Sequence, residues 1–345
     1  MTNHLNTLFV TTQGAYLARE GEALLVRVDK ETKLRVPIHT LGGVVCFGRV
    51  GISPSLMGLC GERDIAISML TENGRFLARV CGFTPGNVLL RREQYRRADD
   101  PVASANIARA IVSAKLANSR SVLLRALRDY PDCAGAAALK AATDRLALGL
   151  QDLLRDQALD SVRGLEGEAG AGYFGVFDYL ITAQKESFVF RGRNRRPPVD
   201  NVNALLSFLY AMLAHDARSA CEAAGLDPAV GFLHRDRPGR PGLALDLMEE
   251  FRAYLADRLT LSLINRRQID PAGFKCPGGP GTAVEMDDKT RKAVLVGYQN
   301  RKKEQVIHPF LGEKVSVGLL VHLQARLLAR HLRGDLDAYP PFIWK

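Results

Sequence analysis

The chain has no long apolar run. None of its 345 residues belongs to a stretch approaching the ~18 apolar residues that span a bilayer, so a helical membrane protein is not expected. The opening residues MTNHLNTLFVTT lack a basic segment followed by an apolar core, and the cytoplasm is the expected compartment. Paired cysteines are missing too. Cys46, Cys60, Cys81, Cys133, Cys221 and Cys276 lie far apart with no C-x-x-C, which argues against a zinc ribbon or disulfide framework and for buried free thiols. Acids are in deficit: 37 Asp and Glu against 47 Lys and Arg leave a net charge of +10, which suggests an anionic partner such as nucleic acid or a membrane surface without requiring one.

Familiar catalytic signatures are absent as well. GEAGAG at 167–172 has the wrong order for a dinucleotide fingerprint, and neither a P-loop nor H-E-x-x-H occurs. His234-Arg235-Asp236 resembles a kinase loop, but Pro241 stands where a metal-binding Asn is required, and no G-x-S-x-G elbow supports a serine triad.

What is present divides near residue 100. Before it, TLFVTT, AYLARE, ALLVRV, KLRVPIHTL and GVVCFG are short alternating or β-branched runs broken by glycine. TENGRFLARV places Asn73-Gly74 between apolar runs as a hairpin, and SPSLMGLCGERD reads as a short helix after Ser-Pro. Beyond Pro101, long segments repeat apolar residues every three or four positions, and Asp200 and Gly225 bracket one such helix as N-cap and C-cap. Residues 276–288 have loop composition. The fold class expected is α+β: a β-sandwich domain over 1–85, a basic linker over 86–100 that turns into a helix, and a larger all-α domain over 101–345.

The chemistry concentrates in GFLHRDRPGRPGLALDLMEEFR, residues 231–252. On a helix, Asp246 and Glu249 lie about 60° apart and away from the stripe Ala244, Leu247, Met248, Phe251 and Leu255, so both can face one cleft. Such oxygen donors suit a hard divalent ion, and His234 shifts the preference toward manganese. A structural role is the alternative, because acids near a helix start are favoured by the dipole and a lone histidine is commonly a hydrogen-bonded core residue. Glu166 sits between glycines just after the LQDLLRDQALD helix, where the backbone can approach another segment; by itself it reads as a loop acid. RGRNRR supplies Arg193, Arg195 and Arg196, and HRDRPGR supplies Arg235, Arg237 and Arg240, as phosphate contacts or solvated loops. Asn203, Ser207 and Tyr210 share one helix face at i, i+4 and i+7.

The ordered set RGLEGEAGAGYF, RRPPVDNVNALLSFLYAML, GFLHRDRPGRPGLALDLMEEFR and HPFLGEKVSVGLLVHLQARLLARHLRGDLDAYPPFIWK resembles the CRISPR-associated adaptation integrase, the Cas-one family, most closely its subtype I-C branch. The resemblance covers the whole chain. It implies an asymmetric homodimer of β-sandwich and helical catalytic domains. It also implies a metal-dependent endonuclease and strand transferase that inserts spacers into the CRISPR array by 3′-hydroxyl attack. Mg²⁺ or Mn²⁺ would be held by Glu166, His234 and Glu249, with Asp246 at the edge of the site and Asn203, Ser207 and Tyr210 supporting it. The partners implied are double-stranded DNA (prespacer and CRISPR repeat) and a bridging dimer of the small Cas-two protein. A catalytically silent DNA-binding scaffold of the same fold is the second reading; the complete Glu/His/Glu set favours the first.

Overall fold

The computed structural model of the chain describes residues 6–63, 65–72, 76–82, 88–194, 197–279 and 281–344. The early alternating runs become strands β1 (Asn6–Val10), β2 (Tyr16–Glu20), β3 (Ala23–Val28), β4 (Glu31–Pro37), β5 (Leu41–Phe47), β6 (Gly51–Ile52), β7 (Ala66–Leu70) and β8 (Phe76–Val80). They form two four-stranded sheets, ordered β1-β5-β7-β8 and β4-β3-β2-β6. β1, β5 and β7 run parallel, whereas β7 and β8 pair antiparallel as the hairpin signal required. Asn73 and Gly74 of its turn lie outside the described residues. Helix α1 (Pro54–Glu62) starts where Ser53 accepts the Leu56 N–H, at 3.3 Å.

Leu17, Leu24, Val44, Cys46 and Ile67 from both sheets close over one core with Leu56 and Leu59 of α1. Val45 and Phe47, on the opposite face of β5, belong to the helical core instead, and Phe47 stacks on Phe208 with ring centroids 5.9 Å apart. A strand buried on both faces reads as an unbroken apolar run, which is why GVVCFG does not alternate.

The helical part comprises α2 (Val88–Asp99), α3 (Pro101–Asp129), α4 (Ala136–Asp152), α5 (Leu159–Gly175), α6 (Asn201–Ala223), α7 (Gly242–Phe251), α8 (Arg258–Asn265), α9 (Asp288–Lys303) and α10 (Leu320–Leu332). Short strand pairs join β9 (Phe274–Lys275) to β10 (Glu285–Met286) and β11 (Gln305–Ile307) to β12 (Lys314–Ser316). The expected caps of α6 are present: Asp200 accepts the Asn203 N–H at 2.7 Å, and Gly225 adopts φ +79° just past the end. Between α7 and α8 the ladder widens into a π-helical turn, Arg252–Asp257. Among the described residues no helix is long and apolar enough to cross a membrane.

Three expectations need correction. Glu166 lies inside α5 rather than in a loop after an LQDLLRDQALD helix, a segment in which α4 ends at Asp152 and α5 starts at Leu159, and the flanking Gly164 and Gly167 meet nothing within 4 Å where a Cβ would stand. Those glycines therefore permit no close approach; α5 forms because Val162 and Tyr173 bury against the core. Helix α9 has no counterpart among the segments expected to be helical, because its stripe of Val294, Leu295 and Tyr298 is narrow and set among charged residues. Of the six free cysteines, Cys46, Cys60 and Cys221 are buried but Cys81 and Cys276 are exposed.

Candidate active site

The loop carrying His234 is anchored before any chemistry is considered. Gln94 of α2 donates to the carbonyls of Asp227 and Val230, at 2.8 and 2.7 Å, and Ser104 of α3 donates to the Phe232 carbonyl at 3.1 Å. Arg163 of α5 donates to the Leu233 carbonyl at 2.7 Å. Asp246 completes the anchorage from α7. Its carboxylate accepts the backbone N–H groups of Phe232, Leu233 and His234 at 2.6, 3.0 and 3.0 Å, and the His234 ring nitrogen Nδ1 lies 2.6 Å from Oδ1. Gly231 makes this approach possible, since a Cβ there would stand 2.6 Å from Asp246 Oδ2. Facing a carboxylate, Nδ1 must be the donor, which leaves the Nε2 lone pair as the ring's acceptor or ligand atom. Asp246 is thus fully buried and turned toward backbone amides, not toward a cleft shared with Glu249.

Glu249 answers a different set of neighbours. Arg252, one turn on in the π-helical segment, donates to Oε1 at 2.6 Å. Oε2 has the Lys115 ammonium 2.7 Å away and is otherwise without a hydrogen-bond donor among the described residues. Lys115 also pairs with Glu166 of α5. Burial opposes ionisation of Glu249, but Arg252 and Lys115 override it and hold the carboxyl well below the usual carboxylate range. Three helices, α3, α5 and α7, therefore bring two carboxylates to one cation.

The supporting face of α6 is occupied by Arg193. Its guanidinium donates to Asn203 Oδ1 at 2.6 Å and Ser207 Oγ at 3.1 Å, and lies 5.2 Å from the Tyr210 ring centroid. Arg252 stacks over the same ring at 4.3 Å, while the Tyr210 hydroxyl donates to Asp257 at 2.5 Å. A cavity is lined by Lys115, Ser119, Tyr173, Tyr210, Arg252 and Asp257. Arg193 accordingly faces inward. Arg235 and Arg237 are exposed and Arg240 is half-buried, with Arg235 3.1 Å from Asp160; Arg195 and Arg196 lie outside the described residues.

Among the described residues no three or more His, Cys, Asp and Glu side chains already converge as a metal cage. The donors nevertheless suit a hard divalent cation, because two of the three expected ligands already share a positive charge and the third presents a lone pair fixed by its carboxylate partner. Lys115 and Arg252 escaped the sequence reading. Signals for both exist: Lys115 interrupts the stripe Ile111, Asn118, Val122 at helical spacing, and Arg252 stands three residues after Glu249.

The family model described as CRISPR associated protein Cas1 matches residues 8–300. The chain is 53% identical to CRISPR-associated endonuclease Cas1 1 of Chlorobaculum tepidum over 345 residues, covering 100% of both. Among solved structures, a casposase bound to integration product superposes with TM-score 0.83 at 21% identity, covering 99% of this chain and 94% of that one. A Cas6-RT-Cas1–Cas2 complex gives 0.82 at 23% identity, over 99% of this chain and 36% of that one. At such identities the two structures speak to fold.

Proposed function

Because the chain belongs to the Cas1 family of CRISPR-associated proteins, we propose that it is a metal-dependent adaptation integrase of the subtype I-C branch, joining the 3′-hydroxyl ends of a short DNA duplex to phosphodiesters of the CRISPR repeat. The reading rests on one observation above others: the buried Glu249 and the half-buried Glu166 converge on a single cation, while Asp246 of the same helix as Glu249 sets the His234 ring. Glu166, Glu249 and His234 Nε2 would hold Mg²⁺ or Mn²⁺, which when bound supplies Lewis acidity at a phosphoryl oxygen and eases deprotonation of the attacking hydroxyl.

The chain's own residues do the rest. Asp246 keeps the Nε2 lone pair of His234 presented, and Arg252 fixes Glu249 in its ionised form. Arg235, Arg237 and Arg240 follow His234 directly and would take phosphates, Arg235 by leaving Asp160. Arg193 serves as the seat of the α6 face beneath Tyr210 rather than as a contact of its own. In the reaction the 3′-oxygen bonds to phosphorus, the bond from phosphorus to the leaving 3′-oxygen breaks, and the hydroxyl proton passes to the leaving oxygen through solvent. No protein nucleophile is needed. The protein would act as a homodimer, with residues 101–345 as the catalytic unit, 1–85 as the β-sandwich domain and 86–100 between them. A small Cas2 dimer would bridge two such pairs; the name of one structural neighbour joins Cas1 and Cas2 in a complex.

The test is strand transfer of a short duplex into repeat-containing DNA. Glu166→Ala and His234→Ala should abolish transfer yet keep most duplex affinity, which comes from phosphate contacts. Activity should require Mg²⁺ or Mn²⁺, and full activity in excess EDTA would refute the proposal. DNA binding by the wild type without any transfer would leave the silent scaffold.

A further inference from the structure

The position between Glu166 and Glu249 is filled by one of the chain's own cations. Lys115 projects from α3, and its ammonium pairs with Glu166 while lying 2.7 Å from Glu249 Oε2. Its side chain is only 11% exposed, so water screens the contact weakly. Arg252 holds the other oxygen of Glu249 at 2.6 Å. Two carboxylates, one ammonium and one guanidinium sum to zero formal charge. Adding a divalent cation with every partner in place would bring this buried cluster to +2, and the entering ion would meet the ammonium at the very oxygens it needs.

One of the two basic groups is built to move and the other is not. Arg252 is clamped to Glu249 and stacked 4.3 Å over the Tyr210 ring. Lys115 ends in a compact charge on a flexible four-carbon stem, with no aromatic face holding it among the contacts described. We propose that Lys115 is a built-in competitor of the divalent cation: it neutralises Glu166 and Glu249 in the apo-protein and must leave them for the metal to bind. The ammonium thereby lowers metal affinity while keeping the carboxylates from repelling one another before metal arrives. The inference rests on the metal reading of Glu166, Glu249 and His234.

Calorimetric titration of Mn²⁺ into the full chain, without DNA, compares wild type with Lys115→Met. The variant should bind Mn²⁺ about tenfold more tightly, as expected when a buried like charge is removed from the site. Its apo form should melt below wild type and gain more in Tm from Mn²⁺. Equal or weaker affinity in a variant with unchanged circular dichroism overturns the proposal. Should Lys115→Met fail to fold, the wild type decides: reductive methylation followed by mass spectrometry should modify Lys115 faster with saturating Mn²⁺ than in EDTA, and unchanged labelling overturns it. Glu166→Gln separates the two levels. If it abolishes Mn²⁺ binding while Lys115→Met changes nothing, the metal site stands and the competitor falls; if neither wild type nor Lys115→Met binds Mn²⁺, both fall.

Discussion

Glu249 and Glu250 are neighbours in sequence and nearly equal in burial, yet they live in opposite electrostatic regions. On one side of α7, Glu249 meets Arg252 and Lys115, which keep it ionised against the cost of burial. On the other side, Glu250 accepts from the Tyr339 hydroxyl at 2.5 Å, the Phe342 N–H at 2.7 Å and Gln324 at 3.0 Å, with no cation among the groups that set its protonation. Burial outweighs these donors and pushes its carboxyl up to about 7. The same functional group is thus a charged cation-holder on one face and a near-neutral structural acceptor on the other. A turn of about 100° per residue is all that separates the two roles.

Breaking the charged side should have the largest effect. Glu249→Gln keeps the shape but removes the charge that offsets both Arg252 and an entering cation, so strand transfer should fall by about 10²–10³-fold or more. The variant also leaves a buried guanidinium without its counter-charge, at a cost of about 3–5 kcal/mol, and its fold must be checked by circular dichroism. Asp246→Asn should do less. The amide keeps one acceptor oxygen and turns the other into a donor that faces N–H groups. Transfer should drop about 10–100-fold, as when a partner of a metal-bound histidine is lost. Measuring transfer against Mn²⁺ concentration ranks the two; rescue of Glu249→Gln by excess metal, with Asp246→Asn dead throughout, would reverse their roles.

The arginines offer a smaller contrast of the same kind. Arg235 and Arg237 face solvent with Arg240 half-buried beside them, whereas Arg193 is spent on Asn203, Ser207 and Tyr210. Replacing Arg235, Arg237 and Arg240 by Ala should flatten the slope of log K against log salt by up to about 0.9 per lost phosphate contact. Arg193→Ala should lower thermal stability and leave the slope unchanged. A slope that responds to Arg193 instead would mean that this guanidinium leaves its seat to meet DNA.

Much of this was open to reading from the residues, and the gaps have physical causes. Short β-branched runs against three- and four-residue periodicity separate the two regions without any coordinates. The Asp200 cap and the Ser53-Pro54 start are local chemistry and so are visible locally. Glu166 was misplaced because glycines lower helix propensity, while tertiary packing of Val162 and Tyr173 decided the outcome. Periodicity put Asp246 and Glu249 on a common face but could not reveal that four donors from residues 232–234 claim the first and two cations the second. Lys115 lies fifty-one residues from Glu166, and only the packing of α3 on α5 and α7 makes them partners.

The mildest test concerns Glu250 and should touch stability rather than transfer. Its folded pKa, about 7, exceeds the ordinary glutamate value of ~4.3, so between those limits the folded chain binds the proton more tightly than the unfolded one. Stability contributed by this group is therefore full below pH ~4.3, falls as pH rises toward 7, and levels off above it. Asp257, raised by burial to about 6, adds a loss of the same sign that is complete at a lower pH. From pH 6 to 7.5 Glu250 supplies the larger change, and subtracting the variant from wild type cancels Asp257 and every other group common to the two proteins. Glu250→Gln can turn its amide nitrogen toward the Tyr339 hydroxyl and keep its oxygen for Phe342 and Gln324. Urea melts should show wild type losing on the order of 1 kcal/mol more than Glu250→Gln across that interval, with transfer at pH 7.5 little changed. Parallel pH profiles for the two proteins would mean that Glu250 is ionised throughout, and the contrast between the two faces of α7 would collapse.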